Sequence, residues 1–166
     1  NMPKEYLILE NRQKLLSDIN LKKAGLLVWH IDEAITDMYP AMNSVNVNPD
    51  YYGVNLIQAD GLEELNFCTH SHCSDDGDPF PGSGGIINLP NHNISSIKTY
   101  NYDRNADSSI DYGINSNIEL SEIVDLSDFI SLKVTNPNMF GRIIAYDEGH
   151  YDGHAISDQY LFLQWV

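Results

Sequence analysis

The stretch Phe129-Ile130-Ser131-Leu132-Lys133-Val134 puts Ile130, Leu132 and Val134 on one side of an extended chain and Phe129, Ser131 and Lys133 on the other. A period of two with one apolar side is the pattern of a half-buried strand. Other segments extend the reading in both directions. EYLILE (residues 5–10) is compact and rich in strand formers, and GLLVWHID (residues 25–32) is mostly apolar before it turns polar. YGVNLIQA (residues 52–59) alternates in part, with Val54, Leu56 and Ile57 as its apolar set and Asn55 and Gln58 as its polar positions. Residues 111–120 alternate less cleanly, and residues 142–146 and 160–166 complete the strands.

Helix-like composition is confined to residues 10–23 and 61–66. Ser17, Asp18 and Asn20 interrupt the first, so residues 12–20 read as a turn or a short helix. Residues 36–50 and 69–90 are rich in Asn, Asp, Gly and Pro, which favour turns for specific backbone reasons. Loops of this length in a compact domain are functional or tied down by something. The expected fold is therefore mainly β (a β-rich α+β class), an antiparallel or mixed sheet with long ordered loops and little helix.

A chain of 166 residues with 42% hydrophobic and 10% aromatic residues has the apolar area for one domain with a real core, which excludes a disordered chain. Its longest apolar run, residues 24–29, is far short of the ~20 residues of a membrane helix. The first residues show no basic segment followed by an apolar one, so the chain is expected to be cytosolic, or a mature or excised piece of a longer protein. Nine Lys and Arg against 24 Asp and Glu give a net charge of −15. That balance argues against nucleic acid and an acidic membrane surface as partners. It fits solubility, a salty habitat, or carboxylates gathered around hard cations such as Ca²⁺.

Three constellations could carry chemistry. Glu10 and Arg12 close the first strand, and His30 and Asp32 close the second. Residues two apart share a side of a strand, so neighbouring strands could bring the four together, either as a site built on His30 or as a buried polar network closing one end of a sheet. Cys68, His70, His72 and Cys73 lie within six residues of one another. Their spacing is cramped for a closed zinc site and leaves three readings open: a small Cys68–Cys73 disulfide loop, free thiols, or zinc. Asp103, Asn105, Asp107 and Asp111 follow the rhythm of a calcium loop, with Ser108 at the usual Gly and Ile114 at the usual Glu. Asp75, Asp76 and Asp78 around Gly77 form a second acidic loop. Both loops are candidates for calcium, weighed against ordinary solvated turns. The chain contains no H-E-x-x-H, G-x-S-x-G, P-loop or G-x-G-x-x-G pattern.

Four segments, in order, also resemble a known family. EYLILENRQ (residues 5–13), GLLVWHIDE (residues 25–33), GVNLIQADG (residues 53–61) and DGDPFPG (residues 76–82) are similar to the EYFLIENRQ, GLLIWHIDE, VxLIEADG and GDxFPG segments of the immune-inhibitor-A-like secreted metalloproteases, the peptidase M-six family. The resemblance covers about residues 5–134 and implies that residues 1–134 are a metalloprotease-like C-terminal region of a catalytic unit, leaving residues 135–166 as a C-terminal extension packed on the same domain. In that family these segments follow the zinc-binding helix, which this chain lacks. The resemblance thus implies a non-catalytic structural and substrate-wall portion of a secreted, bacterial zinc metalloendopeptidase. No residue here is assigned a catalytic role. Zinc belongs only to the parent's catalytic half, calcium is a candidate cofactor, and the partner is that half or a peptide substrate. A stand-alone calcium-dependent extracellular binding module is the alternative, with Tyr51, Tyr52, Tyr100 and Tyr102 as its candidate aromatic contacts.

Overall fold

The computed structural model of the chain describes residues 5–38, 45–48, 52–68, 73–94, 96–99, 114–127, 129–135, 142–147, 150–152 and 159–164. The protein is mainly β, with very little helix. Its strands are β1 (Glu5–Arg12), β2 (Gly25–Asp32), β3 (Val54–Ile57), β4 (Lys98–Thr99), β5 (Ile114–Asn115), β6 (Glu119–Asp125), β7 (Phe129–Thr135), β8 (Arg142–Asp147), β9 (His150–Asp152) and β10 (Gln159–Gln164). One five-stranded sheet runs β3-β2-β1-β8-β9, a second has the order β10-β7-β6, and β4 pairs with β5. Every pair is antiparallel except β1 with β8. The C-terminal strands enter both larger sheets, β8 beside β1 and β10 beside β7.

The alternation of FISLKV has its physical counterpart in β7, where Ile130, Leu132 and Val134 are buried and their neighbours half-buried. Leu7 and Leu9 of β1 and Leu26 and Val28 of β2 line the five-stranded sheet in the same way, and Leu120 and Ile123 line β6. These side chains form one hydrophobic core with Ala59, Phe80, Leu89, Ile97 and Ile118. The two sheets therefore share one buried apolar core, the dominant favourable contribution to folding.

Of two local features, the first agrees with the sequence reading and the second departs from it. The segment read as a turn or short helix contains a single 3-10 turn, Leu16–Asp18. A short helix, α1 (Glu33–Met38), occupies the start of the stretch expected to be loop. Asp32 explains it: its Oδ1 accepts the Ala34 N–H at 2.9 Å, satisfying a donor that the first helical turn would leave unpaired.

Candidate metal centre

The acidic centre of the described residues is assembled from two segments distant in sequence. Asp60 follows β3, and Asp78 lies on the turn that precedes Phe80. The Ala59 N–H donates to the Asp78 carbonyl at 2.8 Å, which holds the segments side by side. Phe80 then exchanges backbone hydrogen bonds with Leu26 of β2, at 2.9 and 2.8 Å. Asn91 and Asn93 brace the other side: their side-chain amides donate to the carbonyls of Ala59 at 3.1 Å and Asp60 at 2.6 Å.

On this frame, carboxylate oxygens of Asp60, Glu64 and Asp78 lie within 4.8 Å of one another. Asp78 is only 5% exposed. Its Oδ2 accepts the Asp75 N–H at 2.8 Å, while its Oδ1 and the Glu64 Oε2 are buried without a hydrogen-bond partner. A buried carboxylate oxygen with no donor is costly, and native structures seldom tolerate one without a counter-ion or water. Burial pushes the Asp78 carboxyl up to about 6, with the charges of Asp75, Asp60 and Glu64 adding to the effect and the Asp75 N–H opposing it. Gly77 is the residue that permits this crowding. A Cβ there would stand 2.5 Å from Asp60 Oδ2 and 3.0 Å from Asp75 Oδ1. The cluster can hold a metal ion, and its donors are all carboxylate oxygens, a set suited to hard cations rather than to the N and S chemistry of zinc.

This arrangement differs from the expected acidic loop. Of Asp75, Asp76 and Asp78, only Asp78 enters the cluster. Asp75 is exposed and its Oδ1 accepts the Gly77 N–H at 2.6 Å, so it shapes the turn; Asp76 is exposed. Asp60 and Glu64 take their places. Asp60 stands in the quoted QADG segment, but no local pattern in the sequence joins it to Asp78. The loop of Asp103, Asn105, Asp107 and Asp111 lies outside the described residues, as do His70, His72, Tyr51, Tyr100 and Tyr102. Tyr52 is half-buried. Cys68 and Cys73 are bridged, with their Cα atoms 4.6 Å apart.

The four polar residues at the two strand ends do not converge. β1 and β2 are neighbours, but antiparallel, so Arg12 pairs with Gly25 and Glu5 with Asp32. Their C-terminal ends therefore point in opposite directions, and the two pairs also occupy opposite sides of the sheet. Glu10 and Arg12 form one outward group: Arg12 Nε lies 3.0 Å from Glu10 Oε1 and 3.2 Å from Asp18 Oδ2, and the Trp29 indole N–H donates to Glu10 Oε2 at 3.0 Å. Their neighbours Asn11 and Gln13 turn inward, where Gln13 Nε2 donates to Asn11 Oδ1 at 2.7 Å.

His30 and Asp32 belong to a separate inner group with Glu5, which sequence reasoning missed. His30 Nε2 is 3.2 Å from Glu5 Oε2. Asp32 is fully buried, and its Oδ2 has no hydrogen-bond partner. Burial, and then the Glu5 charge, push its carboxyl up to about 6, against the lowering effects of the Ala34 and Ile35 N–H groups and of His30. Because this value is raised above that of an unfolded Asp, ionised Asp32 opposes folding. The penalty is absent below about pH 4, grows between about 4 and 6, and is constant above, reaching about 3 kcal/mol at most. Asp32→Asn keeps an oxygen for the Ala34 N–H and removes the charge. It is expected to raise stability to urea at pH 7.5 and to leave it unchanged at pH 4. A variant less stable than the wild type at pH 7.5 would contradict this account of Asp32.

Among the described residues, no helix is long and apolar enough to cross a membrane. Comparison of the chain with protein-family models, with curated proteins and with solved structures finds no match.

Proposed function

We propose that the chain is a non-catalytic structural and substrate-wall segment of a secreted zinc metalloendopeptidase of the immune-inhibitor-A type, and that calcium holds its acidic turn together. The observation that carries the reading is where the resembling segments meet. GVNLIQADG supplies Asp60, DGDPFPG supplies Asp78, and Leu26 of GLLVWHIDE pairs with Phe80 between them. The segments that carry the resemblance therefore supply two of the cluster's three carboxylates, and Glu64 joins them from just beyond residues 53–61. His30, the polar residue of these segments best suited to catalysis, is engaged by Glu5. Hydrolysis by a zinc peptidase needs a metal-activated water, and the H-E-x-x-H that would hold the metal is not in this sequence.

Calcium is favoured over other hard cations by the mixture of Asp and Glu carboxylates on irregular turns, since Mg²⁺ demands a near-ideal octahedron and keeps much of its water. An extracellular setting supplies calcium at the concentration that suits a three-carboxylate site, and the Cys68–Cys73 disulfide fits an oxidising compartment. The purified chain is expected to show no cleavage of casein in the presence of zinc and calcium. Cleavage abolished by a chelator and restored by zinc would overturn the non-catalytic reading.

A further inference from the structure

We propose that the Cys68–Cys73 disulfide sets the calcium affinity of the Asp60–Glu64–Asp78 centre, so that reducing the disulfide loosens the ion. The inference rests on the calcium reading above and concerns the control of that same site.

The three ligands are not held equally well. Asp60 and Asp78 stand on the body of the protein, through the Ala59–Asp78 backbone hydrogen bond, the Asn93 amide and the Phe80–Leu26 pairing. Glu64 stands on a turn spanning residues 61–67, whose hydrogen bonds are local: Leu62 N–H to Asp60 Oδ1 at 3.0 Å, Asn66 N–H to Glu63 O at 2.9 Å and Phe67 N–H to Glu64 O at 3.3 Å. Apolar packing adds little, because Leu62 and Phe67 are exposed and Leu65 is half-buried. The near end of the turn is fixed where Gly61 packs on Asn93, so closely that a Cβ on Gly61 would stand 2.9 Å from Asn93 Cβ. The far end is fixed by Cys68, bonded to Cys73 at the head of the segment that carries Asp75 and Asp78. The disulfide thus holds Glu64's turn against the turn bearing Asp78. Without it, the chain between those two ligands becomes a longer free loop, and closing it around the ion costs more entropy.

Cys68 is exposed and Cys73 half-buried, so a dithiol can reach the bond. A dithiol thiolate attacks one sulfur to give a mixed disulfide, and the second thiol of the reductant displaces the cysteine. Two electrons and two protons pass to Cys68 and Cys73, and the reductant leaves as its own disulfide. Linkage is reciprocal: if oxidation tightens calcium, calcium protects the disulfide by the same factor. The expected factor is about tenfold, as for a typical coupling between sites, which corresponds to about 30 mV in the two-electron potential.

The test is calorimetric titration of CaCl₂ into the chelator-stripped full chain, oxidised and after dithiothreitol, for the wild type and for Glu64→Gln. The wild type should bind calcium about tenfold more weakly after reduction. Oxidised Glu64→Gln should already bind weakly and should not respond to dithiothreitol. Equal wild-type affinity in both redox states overturns the linkage and leaves the calcium reading standing, whereas no binding in either state overturns both. A second measurement covers the case in which the reduced chain unfolds. The disulfide is equilibrated in dithiothreitol redox buffers with saturating calcium and with chelator. A midpoint about 30 mV lower with calcium supports the linkage, and coincident midpoints refute it.

Discussion

Replacing Phe80 with Ala is expected to lower the unfolding free energy by about 3–5 kcal/mol, the usual cost of emptying a large aromatic site in a core. Phe80 is fully buried among the core side chains of both sheets. Its backbone also pairs in both directions with Leu26, so its segment lies against the edge of the larger sheet's core. The approach is close enough that Gly25 has no room for a side chain: a Cβ would stand 2.5 Å from the Phe80 carbonyl oxygen, at a φ of +151°. Domains of this size are stable by only about 5–15 kcal/mol, so the loss should be plain in equilibrium urea denaturation. Phe80→Leu preserves more of the volume and should cost less. A loss below about 1 kcal/mol for Phe80→Ala would mean that the site collapses without penalty, and that this residue does not anchor the acidic turn.

Asp78→Asn is expected to shift stability in opposite directions with and without calcium. In chelator at pH 7.5 the wild type holds an ionised Asp78 that is nearly buried and whose carboxyl is pushed up to about 6 by that burial and by Asp75, Asp60 and Glu64. A value raised on folding means the charge opposes the folded state above about pH 6, at a cost of about 1–3 kcal/mol. Asn retains an oxygen for the Asp75 N–H and removes the charge, so the metal-free variant should be the more stable protein. With calcium the order reverses. The wild type gains about 2.7 kcal/mol when calcium is 100 times its dissociation constant, and the variant, having lost a ligand, gains little. Urea titrations of both proteins in both conditions check this. A variant that is weaker in chelator and keeps the full calcium response would contradict the role given to Asp78.

β1, β2, β3, β7, β8 and β10 were legible in the sequence because their signal is local, whereas β4 and β9 were not, and residues 111–120, read as one strand, hold β5 and only the start of β6. Ile130, Leu132 and Val134 alternate within six residues, and β7 buries those three. Short elements set by one contact were not legible: α1 depends on the Asp32 cap, and nothing periodic announces its six residues. The direction of pairing was also out of reach. EYLILENRQ and GLLVWHIDE read as neighbours equally well in either sense, and the antiparallel register is what separates Glu10 and Arg12 from His30 and Asp32. Charge density pointed to the turn that carries Asp78 and to only one of the three carboxylates that gather there. Asp75 and Asp76 are conspicuous in the sequence but serve the turn and the solvent, whereas the centre draws Asp60 and Glu64 from another segment through the Ala59–Asp78 backbone bond. Such a long-range contact leaves no mark on local composition.

A cation is proposed to hold Asp60, Glu64 and Asp78 together. The most direct test is thermal melting of the oxidised wild-type chain at pH 7.5, in excess calcium and in excess chelator, at matched ionic strength. A rise in melting temperature of about 5–10 °C with calcium at 100 times its dissociation constant is the predicted result for a chain of this size. Coincident melting curves would contradict it, and would make the acidic cluster an ordinary carboxylate turn.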